Sequence, residues 1–297
     1  MTKAKVNSPL ESQVHGRSMA QMTWHRLLKN KGALVGMIFI VVLVGAAVAA
    51  GFIYDYDLDI VRMVASDSRQ PPSAAHWFGT DTMGRDIFAR VLYGARYSLI
   101  IGVGSVMLGL VVGMILGALA GFYGGVIDQL VMRANDILYS IPNIMTATVI
   151  VSVLGTSTVN LLIALAISSA SSFARITRAQ VMTIRGQEYI ESANAMGLPT
   201  WKIILRHIIP NCLSPIIVQV TLSIGSTIIA ASSLSFLGVG IPSPMPEWGA
   251  MLSDARGEIR NCGWMCVFPG LAIMFTVLAL NLLGDGLRDA LDPKLKK

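Results

Sequence analysis

The chain has 297 residues, 54% of them hydrophobic and 13% charged, with a formal net charge of +6. A charged fraction about half that of an ordinary soluble domain excludes a water-soluble globular fold. The positive excess fits cytoplasmic loops held against anionic membrane lipid, and no basic, aromatic-rich patch argues for a nucleic-acid partner.

The first 31 residues are polar, and near their end Trp24, Leu27 and Leu28 alternate with Arg26, Lys29 and Lys31, the pattern of a short interfacial helix or a basic anchor. Residues 32–54 carry no charge. At 23 residues this stretch exceeds a signal-peptide core, so an uncleaved first span is predicted. A polar loop, 55–96, follows. It is too small for a catalytic domain, and its Asp81, Arg85 and Asp86 could bind a metal or the termini of a peptide, but loop-ordering salt bridges or contacts to another protein are the favoured reading.

The second span, 97–122, carries Ser105, Gly109, Gly113, Gly117 and Gly121 at every fourth position, which makes a groove of small residues along one helix face. Such a groove accepts a close neighbour, either within this chain or from a partner subunit. Residues 137–174 are also uncharged and would reach about 57 Å as one helix, nearly twice the hydrocarbon thickness. Two spans are therefore predicted, 137–154 and 157–174, with a hairpin near Gly155 and Ser157. In the loop 175–212, good helix formers at 187–196 precede Gly197, suited to a left-handed helix end, and Pro199, suited to start another helix.

A fifth span is predicted at 213–237, because the Gly- and Pro-rich run 238–246 cannot continue a helix. Glu247 and Trp248 come next. They could contact a cargo-delivering protein, but Trp anchoring at headgroup level is the favoured reading. The sixth span is 264–284, and Asp285, Arg288 and Asp289 are expected to end it in the tail 285–297. Of the 23 Lys and Arg, 16 fall in the N-tail, the second and fourth loops and the C-tail, so both termini are expected in the cytoplasm.

None of the six predicted spans contains an ionisable side chain, which disfavours a proton- or ion-coupled secondary transporter, a channel with charged filters, or an intramembrane enzyme. Ser and Thr along the fourth and fifth spans offer polar lining without buried charge. No phosphate-binding loop motif occurs, so the chain is expected to bind no ATP or other cofactor itself. Cys262 and Cys266 lack a nearby His, and no metal site is expected.

Glu191-Ser192-Ala193, three further residues and Gly197, then Ile208-Ile209-Pro210, resemble the signature loop of the membrane subunits of bacterial ABC importers, with Ser192 replacing an Ala. Four more blocks narrow the likeness: Phe78 to Asp86 leading into Arg90 to Arg96; His207 to Asn211; Pro246 to Leu252; and Gly284 to Pro293. Together they resemble the dipeptide/oligopeptide/nickel permease family, in its second-permease branch. The resemblance implies an all-α type I importer fold of about six spans in the bacterial plasma membrane. It implies that Glu191, Ser192, Ala193 and Gly197 belong to a coupling helix seated on an ATPase subunit. ATP and Mg would then be bound by one or two separate ATPase subunits, with a homologous second permease and an extracytoplasmic substrate-binding protein completing the system. Its cargo would be di- or oligopeptides, with glutathione or a nickel chelate as alternatives. It does not identify the residues that touch cargo.

Overall fold

The structure is a computed structural model that describes residues 19–291, with side chains from residue 21 onward. The basic positions Lys294, Lys296 and Lys297 and the closing Asp292-Pro293 lie outside the described residues, as do residues 1–18. Among those described there is no strand, only an isolated bridge between Thr80 and Asp86.

Eleven α-helices are described. Helix α1 (Met19–Lys29) leads through Asn30 into α2 (Lys31–Ile53), whose start is capped by the Asn30 side chain accepting from the Ala33 amide at 3.2 Å. Leu27 of α1 is buried against Ala33 and Ala290, whereas Trp24 is largely exposed. Helix α2 is apolar on all sides, the signature of a helix surrounded by lipid or other helices.

Helix α3 (Ile87–Tyr123) begins ten residues before the predicted span. Asp86 supplies its N-cap, accepting from the Ala89 amide at 2.8 Å, so the sequence from Ile87 winds into helix despite Arg90 and Arg96. The helix thus begins before the uncharged stretch, because a helix can extend beyond the hydrocarbon. The helix ends at Gly124, whose φ of 66° a side chain would resist.

The span predicted at 137–154 is not one straight helix. Helix α4 (Gly125–Ser140) and α5 (Asn143–Leu154) meet at a 90° bend. Pro142 causes the break: it has no amide hydrogen to donate and it disfavours helical geometry at Ile141, which is extended with ψ 130°. Alone, α5 spans about 18 Å, short of the roughly 30 Å hydrocarbon layer. Among the described residues there are thus five helices long and apolar enough to cross a membrane, or six spans if the bent pair is counted as one.

Ser157 caps α6 (Thr158–Arg185), which runs well past the predicted end at 174. After α7 (Glu188–Ala195) and α8 (Thr200–Ile203), a π-helical turn Ile204–Ile208 feeds directly into α9 (Ile209–Phe236). Helix α10 (Trp248–Ala255) is short, and α11 (Trp264–Leu291) closes the bundle. Because α11 continues to Leu291, Asp285, Arg288 and Asp289 lie within its last turns and do not terminate the helix; Asp289 also accepts from Asn30 Nδ2 at 3.4 Å.

The center of the bundle is the α3–α6 seam. Gly109, Gly113, Gly117 and Gly121 face Ser169, Phe173, Thr177 and Val181 in turn, stepping by four residues in the same direction on both helices, so the two helices run parallel. A methyl group added at these glycines would lie 2.6, 2.7, 2.8 and 2.9 Å from the Cβ atoms of those partners, closer than carbon atoms pack. The groove is thus filled within the chain. In hydrocarbon, where burial away from water adds nothing between apolar helices, such close backbone approach is the main source of attraction.

Gly113→Ala is therefore expected to lower stability by about 1–3 kcal/mol or more, since backbone atoms of Ala170 also stand in the way and cannot swing aside. Gly45→Ala, on α2 with open space around it, should shift stability by less than about 0.5 kcal/mol. Thermal melting of the two variants in the same detergent checks this; equal melting points would contradict the seam's role.

Candidate coupling surface and outer loop

Helix α7 carries the Glu191 motif. Its two acidic residues in the first turn, Glu188 and Glu191, complement the positive end of the helix dipole, and the Ser192 hydroxyl donates to the Glu188 carbonyl at 2.9 Å. At the other end the Leu198 amide donates to Ala193 O at 3.2 Å and the Gly197 amide to Asn194 O at 2.9 Å. This paired pattern is a Schellman cap, and it needs the left-handed φ of 75° that Gly197 supplies. Pro199 then opens α8. The segment is a helix, a reversal and a second helix, built entirely by local sequence.

Burial divides α7 into two faces. Ile190 is wholly buried and Ala193 nearly so, both in a cluster with Val181, Ile203, Ile208 and Cys212. Glu188, Glu191, Ser192 and Ala195 are exposed on the opposite side. Of the predicted coupling residues, then, Glu191, Ser192 and Gly197 are free to meet a partner, while Ala193 serves the interior. A polar cleft of about 460 Å³ opens between α7 and the bundle, lined by Gly121, Met182, Arg185, Gly186, Glu191 and Asn194.

At the opposite end of the bundle, the loop before α3 folds onto the region around α10. Arg85 is 1% exposed; its Nε donates to Asp81 at 2.6 Å and its Nη2 to Asp254 at 3.3 Å. Arg90, equally buried, donates to Ile60 O at 2.7 Å and to Pro244 O at 3.3 Å. Asp86 is occupied by the α3 cap and by His76 Nδ1 at 2.8 Å. Asp81, Arg85 and Asp86 thus spend their charges within the chain, and the loop-ordering reading is the one the geometry matches. Further out, Arg69 donates to Glu258 at 2.7 Å, and that hydrogen bond holds the Glu258 carboxyl below its usual range.

Glu247 and Trp248 are both 0% exposed, which corrects the expectation of a headgroup anchor or a contact to another protein. Glu247 is the N-cap of α10: its carboxylate accepts from the Gly249 and Ala250 amides at 2.9 Å each, and from the hydroxyls of Ser98 and Ser232. Trp248 Nε1 donates to Val91 O at 2.9 Å. Two buried groups, a carboxylate and an indole, therefore weld α10 to α3 and α9. Sequence reasoning missed Arg90 and Asp254 as members of this end. Asp254 lies 169 residues from Arg85, and no local pattern signals that pairing. Among the described residues, no group of three His, Cys, Asp or Glu side chains could hold a metal ion.

Comparison with known proteins places this architecture. Residues 109–297 match the family model described as "binding-protein-dependent transport system inner membrane component", and residues 18–72 match the N-terminal transmembrane domain of oligopeptide transport permease C. The chain is 46% identical over 296 residues to the dipeptide transport system permease protein DppC of Alkalihalophilus pseudofirmus, covering 100% of this chain and 97% of that one. It is 45% identical to the glutathione transport system permease protein GsiD of Pectobacterium atrosepticum, covering 92% of this chain and 90% of that one. In fold it resembles a chain of the methionine ABC transporter MetNI in inward-facing conformations, with a TM-score of 0.56, 18% identity, and 68% and 96% of the two chains covered. The chain belongs to the binding-protein-dependent transport system inner membrane components, the multi-pass permease family of ABC importers.

Proposed function

We propose that this permease carries di- or oligopeptides across the bacterial plasma membrane, driven by ATP hydrolysis on separate subunits that dock on α7. The observation that carries the docking assignment is the two-faced burial of α7: Ile190 and Ala193 hold it to the bundle while Glu188, Glu191 and Ser192 stand free. A helix with so short an anchored face and a solvated acidic face is built to receive force from outside and pass it inward. The chain has no phosphate-binding loop, which supports placing ATP and Mg on those partner subunits.

Cargo class rests on the relatives. The near full-length likeness to a dipeptide permease supports peptides. A second reading, glutathione, is supported by the likeness to permeases named for it, and glutathione is itself a small peptide-like solute. In this proposal a homologous second permease completes the pathway and an extracytoplasmic binding protein delivers cargo to the end that carries Arg85 and α10. Both termini face the cytoplasm with α7, in keeping with the distribution of Lys and Arg. Transport proceeds by alternating access, as the two permeases rock when the ATPase subunits close.

Two substitutions one residue apart test the reading, with the complete complex in lipid vesicles. Glu191→Arg reverses an exposed charge and should leave stability within about 0.5 kcal/mol of wild type. It should nevertheless abolish peptide uptake stimulated by the binding protein. Ile190→Ala removes buried carbon and should cost about 2–5 kcal/mol by thermal melting. Uptake that persists with no ATPase subunit present would refute the importer mechanism, and full uptake by Glu191→Arg would refute the docking assignment.

A further inference from the structure

The helix that leaves the docking segment is irregular at its entry into the bundle. Helix α8, the π-helical turn and α9 form one continuous apolar helix, Thr200–Phe236. Within it the Ile209 amide donates to Ile204 O, five residues back instead of four. Pro210 follows and has no amide hydrogen, so a carbonyl at Leu205 or Arg206 is left without a backbone donor in either register. Pro215 removes another donor further along. Each missing ladder bond lowers the resistance of the helix to bending, and three interruptions in 204–215 concentrate that compliance in one place.

Asn211 sits at the break. Its side-chain amide donates to His207 O at 2.6 Å and to Tyr189 Oη, on α7, at 3.4 Å. One side chain therefore ties a carbonyl in the irregular turn to the docking helix. The apolar side is joined as well: Ile190 of α7 shares a buried cluster with Ile204, Ile208 and Cys212. Beyond the prolines α9 is seated firmly. A methyl group added at Gly102 of α3 would meet Ile228 at 2.6 Å, and one at Gly284 of α11 would meet Leu222 at 2.7 Å. These contacts of α7 with the helix thus fall within 204–215, the interrupted segment, below the part of α9 that packs closely on α3 and α11.

We propose that 204–215 is a hinge through which motion of α7 tilts the base of α9, and that Asn211 is a positioning residue that fixes the hinge's resting register by holding His207 O and Tyr189 Oη together. The inference rests on the ATP-driven import reading, because α7 receives a push only if an ATPase docks there. Its two hydrogen bonds, both on the exposed side, bridge the irregular turn and α7.

The test uses the complete complex in lipid vesicles and reads peptide molecules taken up per ATP hydrolysed. Asn211→Leu removes the amide, and Tyr189→Phe removes only the hydroxyl from a side chain exposed enough to tolerate it. Each is expected to lower uptake per ATP by roughly two- to thirtyfold, the range produced by mutations that alter coupling between sites. The double variant should be no worse than the more affected single one, because both cut the same link. Uptake and ATP hydrolysis falling in proportion, or an unchanged ratio in Tyr189→Phe, would overturn the hinge assignment while leaving wild-type import intact. Loss of ATP dependence in the wild type would instead overturn the import reading, and the hinge with it.

Discussion

The direct contact of α3 with α6 is the constraint on which the rest of the bundle depends. Between two apolar helices in hydrocarbon, attraction comes from close packing, and packing is closest where one helix has no side chains. Gly109, Gly113, Gly117 and Gly121 provide four such positions in register, and their partners from Ser169 to Val181 fill them. Gly121 lies beside Val181 and lines the same cleft as Glu191, so the seam reaches the foot of α7.

The two ends of the molecule treat charge in opposite ways. At one end the buried side chains of Arg85, Arg90 and Glu247 pair with Asp81, Asp254, backbone carbonyls and helix amides, although Arg85 Nη1 and Arg90 Nε find no hydrogen-bond partner among the described residues. Breaking any one such group leaves an uncompensated charge inside, so this end resists local rearrangement. At the other end Glu188, Glu191 and Arg185 are exposed, and α7 is held chiefly by Ile190 and Ala193. A charge-laced cap at one end and an exposed acidic helix at the other fit the proposal that an ATPase subunit docks on α7.

Between these ends, backbone irregularity is confined to places where a side chain or neighbouring helix compensates for it. The 90° bend at Pro142 is accompanied by ion pairs from α6, Arg175 to Asp136 at 3.1 Å and Arg178 to Asp128, which hold α4 after it leaves the bundle direction. At the base of α9 the Asn211 amide, beside Pro210, donates to the carbonyl of His207 in the π-helical turn.

The sequence by itself determined the membrane class, the number of apolar stretches, the glycine groove, and the helix-reversal-helix around Gly197, because each depends on composition or on residues within a turn of one another. The five motif blocks also identified the importer family. It did not determine that 137–154 bends, since an uncharged run looks alike whether straight or broken and the weight of Pro142 depends on what α4 can pair with. Nor could it tell whether the groove was filled from within or by a partner, or that Glu247 and Trp248 are buried. Those outcomes rest on contacts between residues far apart in the chain, such as Arg85 with Asp254 and Gly113 with Phe173, which exist only once the helices have packed.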